Sequence, residues 1–145
     1  MISQILQHLK EKELIIEEYP PNYKRYKYKF PDLETQKPLF AWENHIYNPF
    51  KVKVTPDLII HEATHFKQQG DKPEEWLDKY LTDDHFRLEQ EVEAYAEQFK
   101  LCKERLPAKW YKKFLEAFAL SLSGDLYGNI ISYSQAESRI RNFNK

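Results

Sequence analysis

Apolar positions divide the chain into two unlike parts. In the first, Ile2, Ile5, Leu6 and Leu9 recur at helical spacing and predict a short amphipathic helix on the back of the domain. Residues 13–19 form a β-rich run closed by Pro20 and Pro21. Residues 23–30 alternate Arg25, Lys27 and Lys29 with Tyr26, Tyr28 and Phe30, the period of two expected of a strand. A third strand is expected over 40–47, after the loop signals Pro31-Asp32 and Lys37-Pro38 and before Asn48-Pro49. The first third therefore reads as mostly sheet.

From Thr55 the period changes to that of helices. Thr55 can cap, Pro56 suits the first helical position, Asp57 favours the N-terminal dipole and Gly70 can close the C-terminus, which brackets a helix over 56–69. Asp71-Lys72-Pro73 opens a connection, a long helix follows over 83–104 until Pro107 stops it, and another covers 108–122. Ser123-Gly124-Asp125 and Tyr127-Gly128-Asn129 carry turn chemistry, and Ser134 to Glu137 has the spacing of a capping box that starts a last helix. Strands first and helices afterwards predict an α+β fold, with residues 1–145 as a single domain and no internal repeat.

Composition narrows the partners. At 145 residues and 41% apolar content the chain can bury one adequate core. Its 22 basic and 23 acidic residues give a formal charge of -1, so no global field points to nucleic acid or an anionic membrane. The basic, aromatic stretch of residues 25–30 reads as a strand with its cationic face in water, and Lys109, Lys112 and Lys113 as a solvated helix flank. One cysteine, Cys102, excludes an intrachain disulfide and is expected to be a buried helix residue. There is neither a secretory signal pattern at Met1 nor an apolar run near the length of a membrane span, so a cytoplasmic protein without a pro-segment is expected.

The chemistry concentrates in the 56–69 helix. His61-Glu62-Ala63-Thr64-His65 reads H-E-x-x-H, which sets two imidazoles one helical turn apart on one face, able to hold a single Zn²⁺, with a glutamate beside the first. A catalytic zinc takes three protein ligands and leaves a position open, so a third donor is expected downstream. A metzincin pattern would need Gly at 68 and His at 71, whereas the chain has Gln68 and Asp71. The best third donor lies within residues 91–96, where Glu91 or Glu93 is followed one turn later by a small residue that lets helices approach; Glu89 and His85 rank behind.

Glu91-Val92-Glu93-Ala94-Tyr95 resembles the E-x-x-A-D/N signature of gluzincin zinc peptidases, departing from it at Tyr95, where the family often has Asp or Asn. His61 to Gln69 with Glu91 to Tyr95 is also similar to small stand-alone zincin-like domains of bacteria and phages, in which H-E-x-T-H-x-x-Q-Q is followed by E-x-E-A-Y. The resemblance covers about forty residues and implies a zincin-like fold: a small N-terminal sheet, a metal-binding helix and two or three further helices. It also implies that His61, His65 and Glu91 hold the zinc while Glu62 takes a proton from the attacking water. The substrate would be a peptide or protein, met in the host cytoplasm were the chain phage-encoded. Residues 42–47 would then lie along the cleft and pair with substrate backbone. Tyr127 and Tyr133 become candidates for the second group that steadies the oxyanion. The rival reading is a non-catalytic zincin-like binding or assembly module with a structural zinc. Nucleic-acid binding has the weakest support.

Overall fold

A computed structural model describes residues 14–144. The chain forms β1 (Ile15–Ile16), α1 (Tyr23–Lys29), a 3-10 turn (Leu33–Gln36), β2 (Phe40–Trp42), β3 (His45–Tyr47), α2 (Pro56–Gln69), α3 (Pro73–Thr82), α4 (Asp84–Arg105), α5 (Ala108–Leu122), a second 3-10 turn (Asp125–Tyr127) and α6 (Tyr133–Arg141). The fold is α+β. The helix expected around Ile2 to Leu9 lies outside the described residues, as does the first residue of the 13–19 run. Among the described residues no helix is long and apolar enough to cross a membrane.

The sheet is mixed and small, with strand order β1-β3-β2. β1 runs parallel to β3, with Ile15 opposite Ile46, and β2 runs antiparallel to it, with Ala41 opposite Ile46. The strand expected over 40–47 is thus a hairpin. Glu43 and Asn44 both take left-handed backbone angles, which a two-residue turn between twisted strands requires.

Residues 23–30, expected as a strand, form instead a helix over Tyr23–Lys29 capped by Phe30. Tyr23, Tyr26 and Phe30 stand three and four residues apart, the spacing of one helix face, and all three pack into an aromatic cluster with Phe40, Trp42, Trp76, Leu77 and Leu81. Tyr28, which the alternating pattern would have turned inward, is 91% exposed. Lys27 and Arg25 pair with Glu34 and with Glu74 and Asp78, an arrangement that ties α1 to α3.

α2 and α5 begin and end as the sequence predicts. Four helices rather than two or three follow the metal-motif helix. The additional one is α3, in the segment read as a connection: Pro73 occupies its first turn with Glu74 and Glu75, and Trp76, Leu77 and Leu81 are buried. The Asp83 carboxylate caps α4 by accepting from Phe86 N–H at 3.0 Å. The last capping box sits two residues earlier than expected, formed by Ser132 and Gln135, because the Ser132 backbone is extended while that of Ser134 is already helical.

A second cluster joins Leu88, Val92 and Phe99 of α4 to Phe118 and Leu122 of α5 and Ile140 of α6. Among the described residues Arg87 is the largest wholly buried side chain. Its guanidinium donates to Tyr80 O at 2.8 Å and Leu126 O at 3.1 Å, pairs with Asp84 and lies over the Phe30 ring. A buried cation is tolerated because each of these groups replaces lost water. Gly128, at φ +79, lies so close to Asp84 that an added Cβ would come within 2.8 Å of the carboxylate, which packs the Tyr127 turn against this hub.

Candidate metal centre

α2 and α4 pack against each other, and Ala94, one turn after Glu91, is fully buried. The contact brings His61, His65 and Glu91 together, all buried, with one ligand atom from each within 4.8 Å of the others. His61 Nε2 stands 3.0 Å from Glu91 Oε1 and His65 Nε2 stands 3.3 Å from Glu91 Oε2. Two donors held about 2.0–2.1 Å from one ion at the tetrahedral angle stand about 3.3 Å apart, so the spacing fits a small cation.

The surrounding amides fix which ring nitrogen carries hydrogen. Gln98 Nε2 donates to Asp57 Oδ2 at 2.8 Å, so its carbonyl oxygen faces His61 Nδ1, 2.9 Å away. Gln68 Nε2 donates to Gln90 O and to Glu93 Oε1, so its carbonyl oxygen faces His65 Nδ1 at 2.8 Å. Both Nδ1 atoms therefore donate, and when the rings are neutral each Nε2 is bare and turned toward the Glu91 carboxylate. Acceptors facing acceptors need a cation between them, either a proton or a metal ion. The donor set of two imidazoles and one carboxylate fits a metal, with each histidine held from behind as metal histidines are.

Glu91 is held as firmly. Its Oε2 accepts from the Tyr80 hydroxyl at 2.5 Å, and Tyr80 stacks on Trp76, whose indole N–H donates to Gln90 Oε1. Glu93, the alternative third donor, is engaged with Gln68 instead. Glu89 pairs with Arg139 and His85 is exposed. Glu62 is 7% exposed, its Oε2 lies 3.9 Å from His61 Nε2, and among the described residues its carboxylate has no hydrogen-bond partner.

These groups border a cleft of about 850 Å³. One wall is α1 with the loop after it and β2, including Tyr26, Phe30, Phe40 and Ala41; the other is α5 and the turn beyond, including Phe118, Ser121 and Tyr127. Within the sheet β3 is flanked on both sides, and the cleft is lined by Phe40 and Ala41 of the edge strand β2, not by residues 42–47 as expected. Gln69 fastens β2 to α2, donating to Ala41 O at 2.8 Å and accepting from Glu43 N–H at 3.2 Å. Tyr127 lies in the cleft wall, whereas Tyr133, at the start of α6 and 38% exposed, does not line it. The Tyr95 ring stands edge-on to His61 at 4.6 Å, where the gluzincin pattern has its Asp or Asn, but the partner of His61 Nδ1 is Gln98, one turn further along. Its spacing of seven from Glu91 is the signal that could have found it. Cys102 is buried, which pushes its thiol up to about 11.

Burial and charge oppose each other at this centre. Burial pulls His65 down, but the Glu91 carboxylate, with help from Glu62 and Gln68, raises it to about 9. Burial pushes Glu91 up, yet the His65 charge and the imidazole hydrogen bonds hold it well below the usual carboxylate range. Burial lifts Glu62 above its ordinary value, against the pull of His61 and His65. The His65–Glu91 pair underlies both of the first two shifts and is counted once. A histidine raised in the folded state stabilises fully below its unfolded value of 6.5 and loses that contribution as pH rises toward about 9. Protein stripped of metal by a chelator is therefore expected to lose on the order of 3 kcal/mol of stability between those two pH values. Urea unfolding at a series of pH values measures this, and a flat profile would contradict the pairing.

The chain matches no known protein family, no curated protein and no solved structure.

Proposed function

We propose that the chain is a zinc-dependent peptide hydrolase with a zincin-like fold, in which His61, His65 and Glu91 hold the metal and Glu62 is the general base. One observation carries the reading: two imidazole Nε2 atoms and a carboxylate, all buried, gather beside a second carboxylate that has no hydrogen-bond partner among the described residues. When bound there, zinc supplies Lewis acidity, polarising a carbonyl and acidifying water.

The residues divide the remaining work. Gln98 and Gln68 hold the rings in the tautomer that frees Nε2, and Tyr80 fixes the Glu91 carboxylate. Glu62, raised by burial toward the operating range of a general base, accepts the proton of the attacking water and returns it to the leaving amine. An extended peptide laid along β2 would have aromatic rings on either side to take its side chains.

Zinc per chain, measured by plasma mass spectrometry on tag-free protein, is expected to be close to one. Cleavage of a quenched fluorescent peptide mixture is expected to stop on chelation and return on adding zinc. A chain that takes up no metal even when zinc is supplied would sink the reading.

A further inference from the structure

α5 contributes Ala117, Phe118 and Ser121 to the cleft wall. Steps of four, three and four residues follow the helical period, so Trp110, Phe114, Ala117 and Ser121 fall on one strip of that helix. The strip therefore leaves the cleft and runs on past Phe114, whose ring stands 6.0 Å from that of Phe118, to Trp110. Phe114 is 38% and Trp110 49% exposed, while the other two tryptophans, Trp42 and Trp76, are buried. Lys109 and Lys113 each set an ammonium over the Trp110 ring, 5.5 and 5.0 Å from its centre, and among the described residues neither is in an ion pair. With Lys112, α5 carries three lysines against one acid, Glu116, in a chain whose formal charge is only -1. An exposed ring with ammonium groups stacked on it offers apolar surface and positive charge at one place, which an apolar side chain next to a carboxylate satisfies together.

We propose that the strip of Trp110 and Phe114 is a docking site for a segment of the peptide substrate in which an apolar or aromatic residue stands next to Asp or Glu. The proposal rests on the hydrolase reading above and extends it from the scissile bond to the substrate's own sequence. Trp110 and Ser121 are a helical rise of about 16 Å apart, which about five residues of extended chain span. The docked side chain is thus about five residues from the one that passes Ser121, and peptides too short to reach gain nothing from it. The pairing of ring and ammonium strengthens when a ligand excludes water from it, so the strip gains from being covered. Two other occupants fit less well. A second copy of the chain, packed about a twofold axis, would bring the three lysines toward the same three of its partner. A bilayer is flat, whereas the strip runs into a cleft wall, where an extended chain can follow it.

Fluorescence anisotropy on the full-length chain, in zinc and in chelator, tests this. The probes are a labelled dodecapeptide of glycine and serine carrying one Phe-Glu-Glu step, and the same peptide with Phe-Lys-Lys in its place. The native chain is expected to bind the acidic peptide about tenfold more tightly than the basic one, and Trp110→Ala to lose about tenfold of that affinity. Lys109→Glu combined with Lys113→Glu is expected to reverse the preference between the two peptides, a result that a damaged fold would not give. Tyr28→Ala, which removes an exposed ring from α1, is expected to bind both peptides as the native chain does. Equal affinity for the two peptides, or no loss in Trp110→Ala, overturns the docking site and leaves the hydrolase reading standing. The site is equally overturned if the acidic peptide does not bind while Trp110→Ala abolishes attachment to phosphatidylserine vesicles or dimerisation, because a lipid surface or a second copy then covers the strip. Binding of the acidic peptide that depends on Trp110, in a chain that cleaves none of the fluorescent peptide mixture when zinc is present, overturns the hydrolase reading while the strip remains a site for acidic peptides.

Discussion

Glu62→Gln is expected to bind zinc as tightly as the native chain while its peptide hydrolysis falls by a factor of about 10³ or more. The amide has the shape of the carboxylate but no basic lone pair, so only proton transfer is lost, an effect worth about 10²–10⁴ in rate. The structure allows a clean comparison. Glu62 makes no protein hydrogen bond among the described residues, and burial disfavours its charge, so the variant should unfold at a temperature no lower than the native chain. Zinc content, kcat and Tm measured on one preparation separate a missing base from a damaged fold. Unimpaired hydrolysis in this variant would end the case for Glu62 as base. A native chain that binds zinc but cleaves nothing would favour the non-catalytic binding or assembly module.

The second large effect concerns the metal itself. Binding of zinc by a three- or four-ligand protein site is worth on the order of 10–16 kcal/mol, so one ligand's share is about 4 kcal/mol and its loss roughly a thousandfold in affinity. Glu91→Ala is expected to show that loss in competition with a chromogenic chelator. It also strips the Tyr80 hydroxyl of its acceptor. Glu93→Ala removes only a support of the Gln68 amide behind His65, and for such outer partners a loss of about 10–100-fold is the rule. A larger loss in Glu93→Ala than in Glu91→Ala would exchange the roles of the two acids.

Local chemistry decides which of these parts the sequence discloses. α2 was legible to the residue because Thr55, Pro56 and Gly70 act on their own neighbours, and His61 and His65 share a face through helical period alone. Glu91 and Ala94 needed only the step of pairing one helix with another. α1 misled because tyrosine and lysine alternate through it, and whether its rings face inward at a period of two or of 3.6 is settled by Phe40 and Leu77, which come from elsewhere in the chain. α3 had its signals in Pro73, Glu74 and the Trp76, Leu77, Leu81 spacing, hidden by the proximity of Gly70 and Asp71. The hairpin was masked because Glu43-Asn44 lacks the glycine that usually marks such a turn. Tyr80, Gln98 and Asp57 acquire their places through tertiary packing, and no spacing rule singled them out for the site.

The two glutamines behind the histidines also bear on how the centre balances retention against reactivity. A carboxylate behind an imidazole draws the ring hydrogen toward itself and makes the other nitrogen a richer donor. Gln98 and Gln68 are neutral, and the charges of Asp57 and Glu93 reach the rings only through an intervening amide. A metal held by rings supported in this way receives less electron density, remains the stronger acid toward whatever occupies its open side, and exchanges with solution more readily.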